Sequence, residues 1–380
     1  MPYKLENELR ALVRDIVAGQ RSALDQSSDC DGVGQHDLWD ELSHHGLIGA
    51  GLPCKYGGGG QGIFALSVVA EELARQAHLP VLLVMSPGIV GSILLHGGST
   101  DQKEELLPRI ATGDLKCAFA ITEPNAGSNT HRTDTSLTPL GDGKYSLSGT
   151  KCFISGVDEA HMILVVTKIM QDGEDPTLGC CLAPCGAEGL TMSKIETEKF
   201  SDDSQWLLNF DRVEVDQSSV IGGVHSGLKA VFYGLNPERI LMAAFCNGIA
   251  LRALDLAVAY AESREVWGAP ISTHQAISHP LAEVKIDIEL ARNMTFRAAS
   301  DFDSDRDCGA SANYSKFAAA RAAVKSVDRA IQTHGGNGFA KDYRVSELFW
   351  PARLFRTAPV SEEMILNYVA NNILGMRRSY

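Results

Sequence analysis

Apolar residues recur at helical spacing from Leu5 to about Leu115, as in Leu9, Leu12, Val13 and Ile16 and again in Leu66, Val69, Ala70 and Leu73. A bundle of helices is therefore predicted for the first third of the chain. The run Gly57-Gly58-Gly59-Gly60 interrupts the pattern after Pro53. Such a run could cradle a phosphate, but it follows no strand and lacks the Lys-Ser/Thr of a P-loop, so a flexible turn is the expected role.

Between roughly Lys116 and Val220 the pattern changes to short alternating or apolar runs separated by turn residues. Gly141-Asp142-Gly143 precedes Lys144 to Ser148, Met162 to Val166 is β-branched and apolar, and Trp206 to Val215 alternates over part of its length. These signals predict an antiparallel sheet domain. Helical periodicity returns after about Gly222, with segments at about Arg239 to Ser263, Ala276 to Asp301, Ser311 to His334 and Ser361 to Leu374. The expected domains are 1–115, helical; 116–221, β-barrel-like; and 222–380, a four-helix bundle: an α+β chain.

Composition narrows the chemistry. A chain of 380 residues that is 44% hydrophobic and 21% charged can bury two or three cores. A net charge of -13 argues against nucleic acid or an anionic membrane as partner, since both select clustered Lys and Arg. The nine cysteines are odd in number, scattered and without a paired CxxC, which suggests reduced thiols. Cys180, Cys181 and Cys185 could ligate a metal, but no histidine lies nearby in sequence, and small buried hydrophobes are the expected role. The N-terminus lacks the apolar core of a signal peptide and no run approaches a membrane span, so a cytoplasmic location is expected.

Two sets of motifs carry chemistry. Ile121-Thr122-Glu123-Pro124-Asn125-Ala126-Gly127-Ser128 precedes Gly149-Thr150-Lys151-Cys152-Phe153-Ile154-Ser155-Gly156 in the sheet region. In the last third, Glu238-Arg239 opens a predicted helix, followed by Arg264-Glu265-Val266-Trp267-Gly268, His274-Gln275 and Gln332-Thr333-His334-Gly335-Gly336-Asn337-Gly338-Phe339. Taken singly these have ordinary readings. The first is a turn, and Arg264 could merely satisfy a helix C-terminus.

Together, and over almost the whole chain, they resemble the acyl-CoA dehydrogenase family. The resemblance implies an FAD site in which Phe119, Ile121 and Thr122 lie along the isoalloxazine, Ser128 contacts the flavin or the substrate's pantetheine phosphate, Phe153 covers the ring and Ser155 reaches its polar edge. It further implies that Arg264 binds the pyrophosphate, Trp267 packs on the cofactor, and Gln275, Gln332, Gly335 and Gly336 hold the adenosine half across a subunit interface. Ser361 and Glu363 align with nucleotide-contacting positions. A shared cofactor implies an obligate homo-oligomer, in the family usually a tetramer. Phe153 stands where many relatives have tryptophan, and Asn129 where they have aspartate.

The expected reaction removes an α proton from an acyl thioester while hydride leaves the β carbon for the flavin, so a carboxylate must face the acyl chain. In common members that glutamate lies near the C-terminus, and here Pro359 occupies its position. The isovaleryl and long-chain branches place it at a helix start before an arginine, which here is Glu238, with Arg239 binding CoA or steering the base. Asn236-Pro237-Glu238 also reads as an ordinary helix start, with an N-cap, a proline and a dipole-favoured acid. Glu362 and Glu363 are the other candidates.

The implied activity is FAD-dependent 2,3-dehydrogenation of an acyl-CoA in fatty-acid metabolism, with electrons passing to an electron-transferring flavoprotein. An acyl-carrier-protein thioester, a desulfinase, a flavin oxidase or an inactive structural subunit on the same fold are the alternatives. The intact Arg264, Gln275 and His334-Gly335-Gly336 speak against the last.

Overall fold

The computed structural model describes residues 2–26, 35–171 and 173–378. Six helices come first: α1 (Pro2–Gln26), α2 (Gln35–His44), α3 (Gly62–Arg75), α4 (Val81–Leu83), α5 (Gly91–Gly97) and α6 (Thr100–Ala111). A π-helical stretch, Val84–Val90, joins α4 to α5. α1 turns Leu9, Val13, Ile16 and Val17 inward, while α3 is buried along most of its length, as its nearly unbroken apolar sequence requires. Asp303, at the far end of the chain, accepts hydrogen bonds from Ile63 N (2.7 Å) and Phe64 N (2.9 Å) and so supplies the cap that α3 lacks locally. The glycine run is a packed turn rather than a flexible one: Gly59 N donates to Gly49 O at 2.9 Å and Gly60 N to Leu52 O at 2.8 Å.

The middle of the chain forms an eight-stranded sheet from β1 (Cys117–Ala120), β2 (Ser136–Gly141), β3 (Lys144–Ser155), β4 (Met162–Ile169), β5 (Thr177–Pro184), β6 (Leu190–Ile195), β7 (Gln205–Asp216) and β8 (Val220–Ile221). Its order is β6-β7-β3-β2-β4-β5-β8, with β1 beside β4. The sheet is mixed, not purely antiparallel, because β4 runs parallel to both β1 and β2. Alternation along a strand reports which face is buried and is blind to the direction of a neighbour. Leu137, Leu147, Ile163, Val165, Phe210 and Val213 fill a core of this domain's own, and Cys181 lies in it. Burial pushes the Cys180 thiol up past the ordinary range and those of Cys181 and Cys185 up to about 12. They behave as small hydrophobes, and among the described residues no cluster of His, Cys, Asp and Glu is placed to hold a metal.

The rest is helical: α7 (Gly223–Ser263), a small hairpin of β9 (Glu265–Val266) and β10 (Ala269–Pro270), then α8 (Gln275–Asp303), α9 (Gly309–His334), α10 (Phe349–Leu354) and α11 (Glu362–Tyr368). α7 corrects two expectations. It begins sixteen residues before Arg239, so Pro237 and Glu238 sit inside a helix rather than at its start. An internal proline costs about 3 kcal/mol, but the preceding turns are held by packing: Ala230 and Val231 are buried, and Gly234 lies against Ile89 and Ile93. Its stretch Ser226–Ser263 contains an 18-residue window of mean hydropathy 1.6 and is also long and apolar enough to cross a membrane, although 83% of that window is buried within the protein. α7 crosses α3 at Gly248, where a Cβ would come within 2.2 Å of the Glu71 carbonyl.

Buried charge ties the first helices to the last. Arg10 on α1 donates to Glu71 (2.7 Å) and Glu72 (3.2 Å) on α3, and Arg292 on α8 donates to Glu71 at 2.9 Å. Such a network fixes the register of three helices, since breaking one member strands another charge in the interior.

Candidate active site

β1 and the end of β3 bring the first motif set together. Cys152 N donates to Thr122 O at 3.0 Å, which sets the Ile121-Thr122 segment beside Phe153. Phe119 is buried in the main core, so it offers the site its backbone rather than its ring. Ile121 and Thr122 are half-buried and Ser128 is exposed. Phe153 is 60% exposed and held at φ 57°, a left-handed conformation that costs a bulky residue of order 1 kcal/mol or more. An aromatic ring both strained and solvent-facing is placed to lie on something flat. Ser155 hydrogen bonds Gln205, whose Nε2 donates to its Oγ at 2.9 Å.

The sequence reading passed over the pair beneath this surface. Lys151, 0% exposed, donates to Glu123 Oε1 at 2.8 Å and to Ile121 O at 3.0 Å. Glu123 also accepts from Asp134 N at 2.6 Å and Thr135 N at 3.0 Å. Although burial pushes its carboxyl up, these bonds win and hold it down to about 2. The signal available in the sequence was a lysine just before the apolar run Cys152-Phe153-Ile154 at the end of a strand.

The second set forms a face on the C-terminal helices. Arg264 N donates to Tyr260 O, and the Tyr260 ring stacks on His334 at 4.2 Å. Asn337 Nδ2 donates to the hydroxyls of Tyr260 (3.1 Å) and Tyr343 (3.0 Å). This aromatic box couples the Arg264 hairpin to the Gly335-Gly336 turn. Gly335 sits at φ 58° and neither glycine has an atom within 4 Å of where a Cβ would lie. The Gly335 amide donates to Gln332 O, and the empty space beside both glycines lets a ligand approach the main chain closely. Arg264, Gln275 and Gln332 are exposed, Arg264 has no ion-pair partner among the described residues, and Trp267 is 91% exposed with its edge toward His274. Among the described residues no hydrogen bond, ion pair or ring contact joins this face to the β1/β3 surface of the same chain.

Glu238 lies on the part of α7 that packs against the π-helical stretch. Gly234 and Leu241, a turn either side of it on α7, pack on Ile89 and Gly88 of the π-helical stretch, and Ser86 of that stretch accepts from Cys117 N of β1 at 3.1 Å. Glu238 as a whole is 8% exposed. Desolvation pushes its carboxyl up to about 7, against the pull of Arg239 and Lys316. Arg239 spends one nitrogen on Leu235 O (3.0 Å) and Asn236 Oδ1 (3.2 Å), while its buried Nε has no partner. Glu362 is different: Arg356 and Arg321 grip it at 2.8 and 2.9 Å and hold it down to about 2. A carboxylate so paired is a poor base at neutral pH. Glu363 is exposed on α11, and Ser361 spends its hydroxyl on capping that helix through Met364 N.

A helical domain, a sheet and a helical bundle in this order are the architecture of a solved class of oxidoreductases, the acyl-CoA dehydrogenases. The chain belongs to the acyl-CoA dehydrogenase family: residues 4–114, 118–213 and 225–374 match its N-terminal, middle and C-terminal domains. It is 41% identical over 385 aligned positions, 99% of this chain and 98% of the relative, to the acyl-CoA dehydrogenase FadE12 of Mycobacterium tuberculosis. It is 28% identical, over 99% of this chain and 96% of the relative, to the 3-sulfinopropanoyl-CoA desulfinase of Paraburkholderia xenovorans. The solved butyryl-CoA dehydrogenase of Megasphaera elsdenii superimposes with a TM-score of 0.89 at 27% identity, covering 97% of this chain and 98% of that one.

Proposed function

We propose that the protein binds FAD and oxidises an acyl-CoA to the 2,3-enoyl-CoA, with Glu238 taking the α proton. The observation that carries the reading is Glu238 itself: a buried carboxyl near neutrality, in a chain with proline at position 359 and with Glu362 bound by two arginines. A base with its pKa near the working pH combines availability with driving force. Thr122, Phe153 and Ser155 of one subunit would hold the flavin ring, while Arg264, Trp267, Gln275, Gln332, Gly335 and Gly336 of a second would hold its diphosphate and adenosine. The separation of these two surfaces within one chain supports a shared cofactor and hence a homo-oligomer. Bound there, FAD would supply the hydride acceptor for the β carbon, and an electron-transferring flavoprotein would be the next electron acceptor. Arg239, with its unpartnered Nε, would meet the CoA portion or steer the carboxyl.

Arg264→Gln is expected to weaken FAD retention about 10- to 100-fold, the worth of one charge-assisted contact to phosphate. Titrating apoprotein with FAD by flavin fluorescence measures it, and unchanged affinity removes Arg264 from the site.

The test of the reaction is the visible spectrum of the purified protein under anaerobic conditions as short, branched, long and aromatic acyl-CoAs are added. Bleaching by one class is the expected result and names the substrate. Sulfite release without bleaching when 3-sulfinopropanoyl-CoA is added as well would instead match the desulfinase relative, and a protein unable to take up FAD would refute the proposal.

A further inference from the structure

Lys316 is carried by α9 into the interior and is 0% exposed. Its ammonium donates to the carbonyl of Val360, the residue after Pro359. The charged and titratable groups whose fields reach it are Cys246, Glu238 and Arg239 of α7, which packs along α9, and Glu362 of α11. Each of the others is accounted for. Arg239 is bonded to Leu235 O and Asn236, Glu362 is held by Arg356 and Arg321, and burial pushes the Cys246 thiol up to about 12, so it stays neutral. Among the described residues Lys316 forms no direct ion pair. Sinking an ammonium into a core without one is costly, and burial pulls it down to about 8. The remaining charge partner in its surroundings is Glu238.

We propose that Lys316 is a positioning residue for the base: tethered to Val360, it fixes the segment that carries Pro359 and sets the field in which the Glu238 carboxyl ionises. This rests on Glu238 being the base. Where common relatives carry a carboxylate on the C-terminal segment, this chain has an uncharged proline, and the neighbouring ammonium acts on the carboxyl of α7 instead. The arrangement predicts that the cation, rather than the size of the side chain, is what the site requires.

The experiment is an infrared difference titration of the full-length protein, following the carboxyl band that disappears in Glu238→Gln, with the pH profile of reduction by substrate read alongside. In Lys316→Met the midpoint of that band should rise by about one pH unit, because a nearby cation favours the ionised form. Reduction at neutral pH should fall and recover at higher pH. Lys316→Arg should keep the midpoint near its original value. An unmoved midpoint in a folded Lys316→Met overturns the proposal, and so does an arginine variant that shifts as far as the methionine one. If Lys316→Met does not fold, Lys316→Gln takes its place: a midpoint raised by about a unit supports the proposal, and an unmoved one overturns it. Were Glu238→Gln reduced at the original rate, the assignment of the base would fall first; if Glu238→Gln is inert and the midpoint never moves, only Lys316 is removed.

Discussion

Glu238→Gln is expected to lower the rate of reduction by acyl-CoA by about 10²–10⁴-fold, the span that a positioned general base contributes. The amide keeps the shape and burial of the carboxyl, so FAD and ligand binding should survive while proton removal fails. Anaerobic stopped-flow bleaching measures the rate directly, and a variant bleached as fast as the parent would move the base elsewhere. The pH dependence carries a sign. Because the folded carboxyl titrates near 7 rather than at its ordinary 4.5, the parent's reduction rate should climb through that region as the base ionises. The same displacement acts on stability in the opposite sense. As pH rises from 4.5 to about 7 the unfolded chain releases this proton and the folded one resists, so folding weakens over that window. The glutamine variant has no such group, and should be relatively more stable than the parent above pH 7 in urea denaturation. A gain in stability joined to a loss of turnover is what a functional burial produces.

Glu238 also shows how far the sequence could be read. The fold was legible almost throughout, because long apolar periodicity and the change of pattern near residues 116 and 222 are properties of local stretches. The acid was found through the pairing of Glu238 with a proline at 359. Its setting was misread, because Asn236-Pro237-Glu238 carries the local grammar of a helix start. The packing of Gly234 on Ile89 and Ile93 continues the helix through it, and no pattern within a few residues reports that contact. Likewise the motifs that resemble the family's flavin site are visible because glycines, hydroxyls and an aromatic cluster in short segments. Lys151 and Lys316 escaped notice because their partners lie 28 and 44 positions away, at Glu123 and Val360. Glu362 illustrates the converse: it competes with Glu238 as a base in the sequence, and the grip of Arg356 nearby and Arg321 from α9 decides against it.

Lys151→Met should be the most destabilising change near the site, costing about 3–5 kcal/mol, because it leaves the Glu123 carboxylate buried without its counter-ion. The loss falls on one surface. Lys151 also holds the Ile121 carbonyl, so the strand that precedes Thr122 loses its anchor along with the charge. Weaker FAD retention should therefore accompany the lower midpoint in urea. The pH dependence separates an orphaned charge from lost packing. In the parent, Glu123 titrates at about 2 in the folded state against an ordinary value of 4.5, so it contributes stability above 4.5 that disappears as pH falls toward 2. In the variant the ammonium no longer holds that value down, and although the amides of Asp134 and Thr135 still favour the anion, the folded carboxyl accepts a proton more readily. The gap in stability between parent and variant should accordingly narrow as the solution is acidified from pH 7 toward 4. A gap that stays constant over that range would mean that Lys151 stabilises by filling space. Replacing both partners, Glu123→Gln with Lys151→Met, removes the charge altogether and should cost less than Lys151→Met alone.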